Sequence, residues 1–359
     1  MSHHFDTDRA RDDSRLNILD MYLFEGSAPG TTAMILTTNP DAGIFAPLTL
    51  HPEGLYAFRF DTDGDASEEV AIKVRFGDPY PMDDEGSQGQ DFAVVRGTGD
   101  QVKGDAGEVL AEGTVGQESS GPGGVRAYVG RAAELWAADA FGFFTVVNGL
   151  FQEHRYATEA FDHKANLFKG RNNMATVLEV PNSMIGEGTV RAWATVSLFG
   201  HAPEAQVYRW GLPLFTHLYL SNPATPELPD LYHKTEPSKD QANFGEAVRE
   251  FASIMSRYAG AVEDPETHGV MVAERLVPSM LTYEVGSAAE FNLGRFNGRP
   301  LATDAFDVML SLGAGTAVSD GVAPDASRIR RAFPYCGVPY DDNEQAGMRP
   351  LRELIGLSY

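Results

Sequence analysis

The chain opens Met1-Ser2-His3-His4-Phe5-Asp6, which places two adjacent imidazoles and a carboxylate within six residues. Divalent transition metals such as Fe(II), Mn(II), Zn(II) or Cu(II) take these donors in sites that keep positions open for substrate. Side chains alternate across an extended chain, so His4 and Asp6 share one side and His3 faces the other. Only about ten residues separate this group from a strand-like run near Leu16, short enough for it to reach back over a pocket mouth. His3, His4 and Asp6 are therefore expected to bind a divalent transition metal; the plainer reading is a solvated or hydrogen-bonded terminus. Asp61, Asp63, Asp65 and Glu69 set carboxylates at alternate positions around Gly64. Calcium takes about six to eight hard oxygens, and a loop of this spacing can wrap one. The EF-hand glutamate is missing, its place being taken by Ile72, and the flanks read as strands. The expectation is a calcium-binding hairpin loop, against an ordinary Asp/Gly turn. Arg131, Glu134 and Asp139 form a third group. A guanidinium with two nearby carboxylates suits substrate binding or the ordering of a metal's ligands, and these three are the catalytic candidates. The competing reading is an ion pair at a helix start.

Other chemistries lack their residues. No H-E-x-x-H, G-x-S-x-G, Walker A or G-x-G-x-x-G pattern occurs, which removes support for zincin, α/β-hydrolase and nucleotide-binding readings. Cys336 is the single cysteine, so one chain builds no disulfide, thiolate zinc site or iron–sulfur cluster. Cys336 is expected to be a buried hydrophobe. The formal net charge of −23 repels polyanions, which excludes nucleic acid and anionic membrane as natural partners. No apolar window approaches the ~20 residues a membrane span needs. The first residues have neither the basic nor the apolar part of an export signal, so a cytoplasmic location is expected.

These groups need elements to position them. Thr31–Thr38, Leu55–Phe60 and Val70–Phe76 read as strands, the last from alternation of Val70, Ile72, Val74 and Phe76. Met174–Pro181 and Thr189–Phe199 read as buried strands. Aromatic spacing predicts a helix over 131–155. Phe244, Val248, Phe251, Met255 and Tyr258 predict an amphipathic helix over 241–260. A further helix is expected over 269–285, broken at Pro278, and another over 303–312. The Gly/Asp-rich stretch 78–124 is expected to hold short strands and long mobile loops, in the manner of a lid. The fold class is thus α+β and β-rich: one large domain over 1–359, mostly antiparallel sheet with packed helices.

Several segments also resemble a known family. They are Ser2-His3-His4, Asp20-Met21-Tyr22-Leu23-Phe24, His51-Pro52-Glu53-Gly54-Leu55-Tyr56, Phe60-Asp61-Thr62-Asp63-Gly64-Asp65, Leu178-Glu179-Val180-Pro181, Arg209-Trp210-Gly211-Leu212-Pro213, Asn297-Gly298-Arg299-Pro300-Leu301 and Phe333-Pro334-Tyr335. In this order the chain resembles the bacterial domain-of-unknown-function family 4331 over nearly its whole length. It departs at Glu134-Leu135-Trp136, where the family has Asp-Pro-Phe after Gly-Arg. The resemblance implies a single co-folding unit. The functional expectation is a metal-dependent enzyme acting on a small organic molecule by oxidative or hydrolytic chemistry. The alternatives are a non-catalytic metal- or ligand-binding protein with structural calcium, and a self-associating homo-oligomer or scaffold.

Overall fold

Side-chain alternation sets which face of each strand is buried. In the computed structural model, which describes residues 5–84, 86–200 and 203–354, Met34 and Leu36 enter the main core while Ala33 and Ile35 enter a second one on the opposite face. The strands are β1 (Ile18–Glu25), β2 (Thr31–Thr38), β3 (Gly54–Asp61), β4 (Val70–Phe76), the short pair β5 (Tyr80–Pro81) and β6 (Gln88–Gly89), β7 (Asp91–Thr98), β8 (Glu108–Thr114), β9 (Glu118–Ser120), β10 (Arg126–Ala133), β11 (Asn172–Pro181), β12 (Thr189–Leu198), β13 (Ala205–Trp210) and β14 (Leu281–Glu284). One sheet runs β1-β2-β11-β10-β9. The other runs β13-β12-β3-β4-β7-β8, with β14 pairing the first half of β12 and β13 its second half. The pairings along both sheets are antiparallel. The chain is accordingly a mixed α+β, β-rich fold of antiparallel sheets and helices.

The two sheets share one core. Met21, Leu23, Met34 and Leu178 of the first belong to the same hydrophobic body as Phe58, Phe60, Ile72 and Val94 of the second. The outer face of the first sheet, with Tyr22, Ile35 and Val177, is covered by Leu301, Phe333, Tyr335 and Cys336. Cys336 is buried there as a free thiol, and burial pushes its pKa up to about 12, as expected of a packed hydrophobe.

The helices are α1 (Asp8–Asp12), α2 (Ala140–Asn148), α3 (Leu228–Lys234), α4 (Asp240–Ala259), α5 (Pro265–Leu276), α6 (Ala305–Ala314) and the short α7 (Asp342–Ala346) and α8 (Leu351–Leu354). The amphipathic stripe of α4 buries Phe244, Val248, Phe251 and Met255, and Gly260 closes it in the left-handed region. Three expectations need correction. The helix sought over 131–155 starts only at Ala140, because 126–133 is drawn into the sheet beside β11, where pairing outweighs the helix propensity of its alanines. The helix sought over 269–285 spans Pro265–Leu276, with Asp264 as its N-cap and Pro265 as its first residue; Leu281–Glu284 is strand. The stretch 78–124 supplies β7 and β8 to the larger sheet and is not a loop-built lid. Among the described residues, no helix is long and apolar enough to cross a membrane.

Candidate functional site

Asp6 is held by its neighbours in sequence. Phe5 is buried, its carbonyl accepts from Arg11 Nε at 2.8 Å, and Thr7 caps α1 through Ala10 N–H. The Asp6 carboxylate is then fixed between two histidines distant in sequence. His233, in the last turn of α3, places Nε2 2.8 Å from Asp6 Oδ2. Its Nδ1 lies 3.2 Å from the backbone N and 3.0 Å from the backbone O of Arg209. His217 belongs to the wide helical turn Phe215–Tyr219, entered through Leu214 at φ 57°. Its Nε2 lies 3.4 Å from Asp6 Oδ1 and its Nδ1 3.0 Å from Thr216 Oγ1. The Thr216 hydroxyl donates to Asp6 Oδ2 at 2.7 Å.

The Thr216 hydroxyl spends its proton on Asp6, so its oxygen is set to accept from His217 Nδ1–H. Burial pushes the His217 pKa down, with the Asp6 carboxylate opposing and His233 reinforcing the fall, so a proton there is weakly held. Two imidazoles and a carboxylate are a donor set that fits a divalent transition metal, and the backbone of Arg209 would orient His233.

His217 also faces a cavity. It is the polar side chain in a space of about 20 Å³ walled by Trp136, Phe143, Phe144, Phe168, Leu214 and Phe306. On the other side of Trp136 lies a pocket of about 220 Å³ lined by Glu134, Asn166, Lys169, Asp325 and Tyr340. Glu134 is 3% exposed. Burial raises its pKa, and the nearby Asp20 charge adds to the rise; Trp136 N–H and Asn173 Nδ2 donate to it at 2.8 and 3.2 Å and act the other way. A buried carboxyl with a raised pKa at a pocket wall has the placement of a general-acid candidate.

Beneath Trp136 lies Arg299, fully buried, with Nη1 2.5 Å from Asp20 Oδ1. Its guanidinium is 4.3 Å from the Tyr22 ring centre and 5.5 Å from that of Trp136. Burial works against its charge, but Asp20 and Tyr22 together hold its pKa above the ordinary value. At the start of α6, Asp304 and Asp307 meet Asp320 from the segment after the helix, their oxygens within 4.8 Å of one another. Burial lifts Asp304 to about 7 and Asp320 to about 6. Phe306, in the same helical turn, is a wall of the aromatic cavity.

The sequence-derived candidates fare unevenly. His3 and His4 lie outside the described residues. Asp6 is in the centre of the site, but through His217 and His233, which sequence reasoning passed over. The signal was available: His217 sits within the apolar run Leu214–Tyr219, where a histidine must find a polar partner or a task. Arg131, Glu134 and Asp139 take up three separate environments. Arg131 reaches Asp342 at 2.7 Å, Gln345 at 2.9 Å and the Tyr340 carbonyl at 3.2 Å, clamping a later segment to the sheet. Asp139 caps α2, accepting from Gly142 N–H at 3.0 Å and Ala165 N–H at 3.2 Å. Glu134 lines a pocket. Asp61, Asp63 and Asp65 do converge. Asp61 accepts from the N–H groups of Asp63, Gly64 and Ala66, Arg191 stands 3.7 Å away, and Glu69 is turned back onto Thr62.

Comparison of the chain with protein-family models, curated proteins and solved structures finds no match.

Proposed function

We propose that the chain is a metal-dependent enzyme for a small organic molecule, with Asp6, His217 and His233 as the donors for a divalent transition metal and Glu134 as the acid. The carrying observation is that His217 belongs to two structures at once: it touches the Asp6 carboxylate and it lines the aromatic cavity. A metal there would supply Lewis-acid or redox chemistry. The chain's own contribution is to orient His233 through Arg209, to place the Glu134 carboxyl at a pocket wall, and to line the cavity with six apolar side chains. Membership of the family that the chain resembles is proposed with it. Residues from separate motifs of that resemblance meet in space: Asp20 with Arg299, and Glu179 with Tyr335. A cytoplasmic setting is proposed on the buried, unpaired Cys336, which a reducing compartment preserves.

Elemental analysis of untagged protein tests this reading. Wild type should carry about one transition ion per chain, and His217→Ala and His233→Ala, folded by circular dichroism, should each lose at least about tenfold of that content, since removing a direct ligand costs more than removing its orienting partner. Retention of the metal by both variants, or no uptake by wild type from Fe(II), Mn(II), Zn(II) and Cu(II), overturns it. A second reading, a non-catalytic binding protein with structural calcium, draws on the convergence of Asp61, Asp63 and Asp65. Stoichiometric calcium as the sole ion would favour it.

A further inference from the structure

We infer a second binding site, for a small monocarboxylate with a ring or branched-chain body, in the open groove between the end of β1 and the turn 329–335. The groove holds about 330 Å³, within the range of small-molecule sites. It lies against the second core, on the outer face of the first sheet, whereas Trp136, Phe143 and Phe306 of the His217 cavity belong to the main core. The inference therefore stands apart from the metal-dependent reading.

The lining sorts into a carbon surface whose donors are spent and two guanidiniums that are not. Phe24 meets Tyr335 edge-on at a ring-centre distance of 5.2 Å, and Leu301 and Ile329 extend the apolar surface. The hydroxyls set into it are committed. Tyr335 Oη donates to Glu179 and accepts from Ser27 N–H at 2.6 Å, and Ser27 Oγ donates to Glu179 at 3.1 Å. Neither hydroxyl has a proton left for a ligand. Arg330 and Arg331 also line the groove, and both are exposed. Neither guanidinium makes an ion pair or hydrogen bond among the described residues. Arg328 shows the contrast: it meets Glu344 at 3.5 Å and lies 4.0 Å from the Tyr340 ring centre. Carboxylates are plentiful on a chain with 51 acidic and 28 basic side chains, yet these two arginines have none. Arg330 also starts from a fixed turn, its N–H donating to the Tyr335 carbonyl at 2.8 Å. Glu25 is the acidic side chain of the lining, so two positive charges stand against one negative.

An anion with an apolar body completes such a groove. A guanidinium fork takes a carboxylate through two parallel bonds, and a ring or branched chain covers the carbon surface beside it. The overall charge of −23 repels polyanions, and a single carboxylate meets least of that repulsion.

The probe is phenylacetate. Its controls are 2-phenylethanol, the uncharged body; acetate, the charge alone; and acetyl-Gly-Gly-Phe, the same carboxylate on a peptide end. NMR titration of the full-length protein should show phenylacetate binding in the millimolar range, as suits about ten non-hydrogen atoms. It should bind at least about fivefold tighter than each control, the gain from a charge-assisted pair added to an apolar contact. The double variant Arg330→Gln/Arg331→Gln should bring phenylacetate down to the level of 2-phenylethanol. Ala302→Trp, at an exposed position of the lining, should fill the groove and weaken both ligands alike. Circular dichroism checks that the variants are folded. The inference is overturned by wild type that does not bind phenylacetate, by equal binding of 2-phenylethanol or acetate, or by undiminished binding in the folded double variant or the folded Ala302→Trp. Equal or tighter binding of acetyl-Gly-Gly-Phe overturns the assignment to a free acid and makes the groove a peptide-docking surface.

Discussion

Asp304 shows how a single residue can cost the fold stability. It is the N-cap of α6, accepting from Asp307 N–H at 3.2 Å, and burial near Asp307 and Asp320 raises its pKa to about 7. The native state therefore binds this proton more tightly than the unfolded chain, whose value is near 3.8. Stability from Asp304 is fully present below pH ~3.8 and is lost as pH rises through about 7. Asparagine caps a helix as well as aspartate does and carries no charge. Asp304→Asn should thus be more stable than wild type by about 1–3 kcal/mol at pH 8 and indistinguishable from it near pH 3.5. Urea unfolding at the two pH values checks this; an equal gain at both would mean that charge is not the cause. Arg299 is the opposite case, a buried charge paired with Asp20 and stacked on ring faces, where removing one partner would strand the other.

At the scale of elements, Lys73 ties a loop to the sheet. It is fully buried on β4, and its Nζ donates to the carbonyls of Gln101, Gly104 and Ala106 at 2.6, 2.8 and 2.7 Å. The loop is also tied by Arg59 to the Val102 carbonyl at 3.1 Å and by Gly104 N–H to Glu204 at 2.6 Å. Lys73→Met should leave β4 packed while amide exchange in residues 101–106 accelerates by about tenfold or more, the loss of roughly 1.4 kcal/mol of local protection or greater. Unchanged exchange there would show that the loop holds itself. Such ties are illegible in sequence, whereas the strand Val70–Phe76 and the helix near 241–260 were legible because a period of two or of 3.6 is local. The start of α2 was missed because the alanines of 126–133 and 137–140 look alike until β11 claims the first group. The start of α5 was missed as well, because the cap Asp264 and the first-turn Pro265 were not read as a helix start. The site was half legible for the same reason. Asp6 was visible as a ligand-type residue, and Glu134 as part of a charged cluster. Their partners were not, because His233 is 227 positions from Asp6 and no local pattern links them.

The whole molecule carries a formal charge of −23, so its compact state works against self-repulsion. Raising ionic strength from about 0.01 to 0.15 M shortens the screening length from about 30 to 8 Å, and the melting temperature should rise by roughly 2–5 °C. A fall on scanning calorimetry would mean that buried networks such as Arg59 with Glu68 and Glu204 dominate the salt response. The same long-range wiring has a consequence for how the chain is made. Asp20 and Arg299 are 279 positions apart, and Asp41 accepts from the backbone of Leu351 as well as from Arg171. A ribosome adding about 5–20 residues per second leaves Asp20 without its guanidinium for roughly 15–55 s. Through that interval β1 and β2 can pair, but the Asp20 carboxylate lacks the charge that neutralises it, so the pair that ties β1 to the chain's last third forms only after residue 299 has emerged.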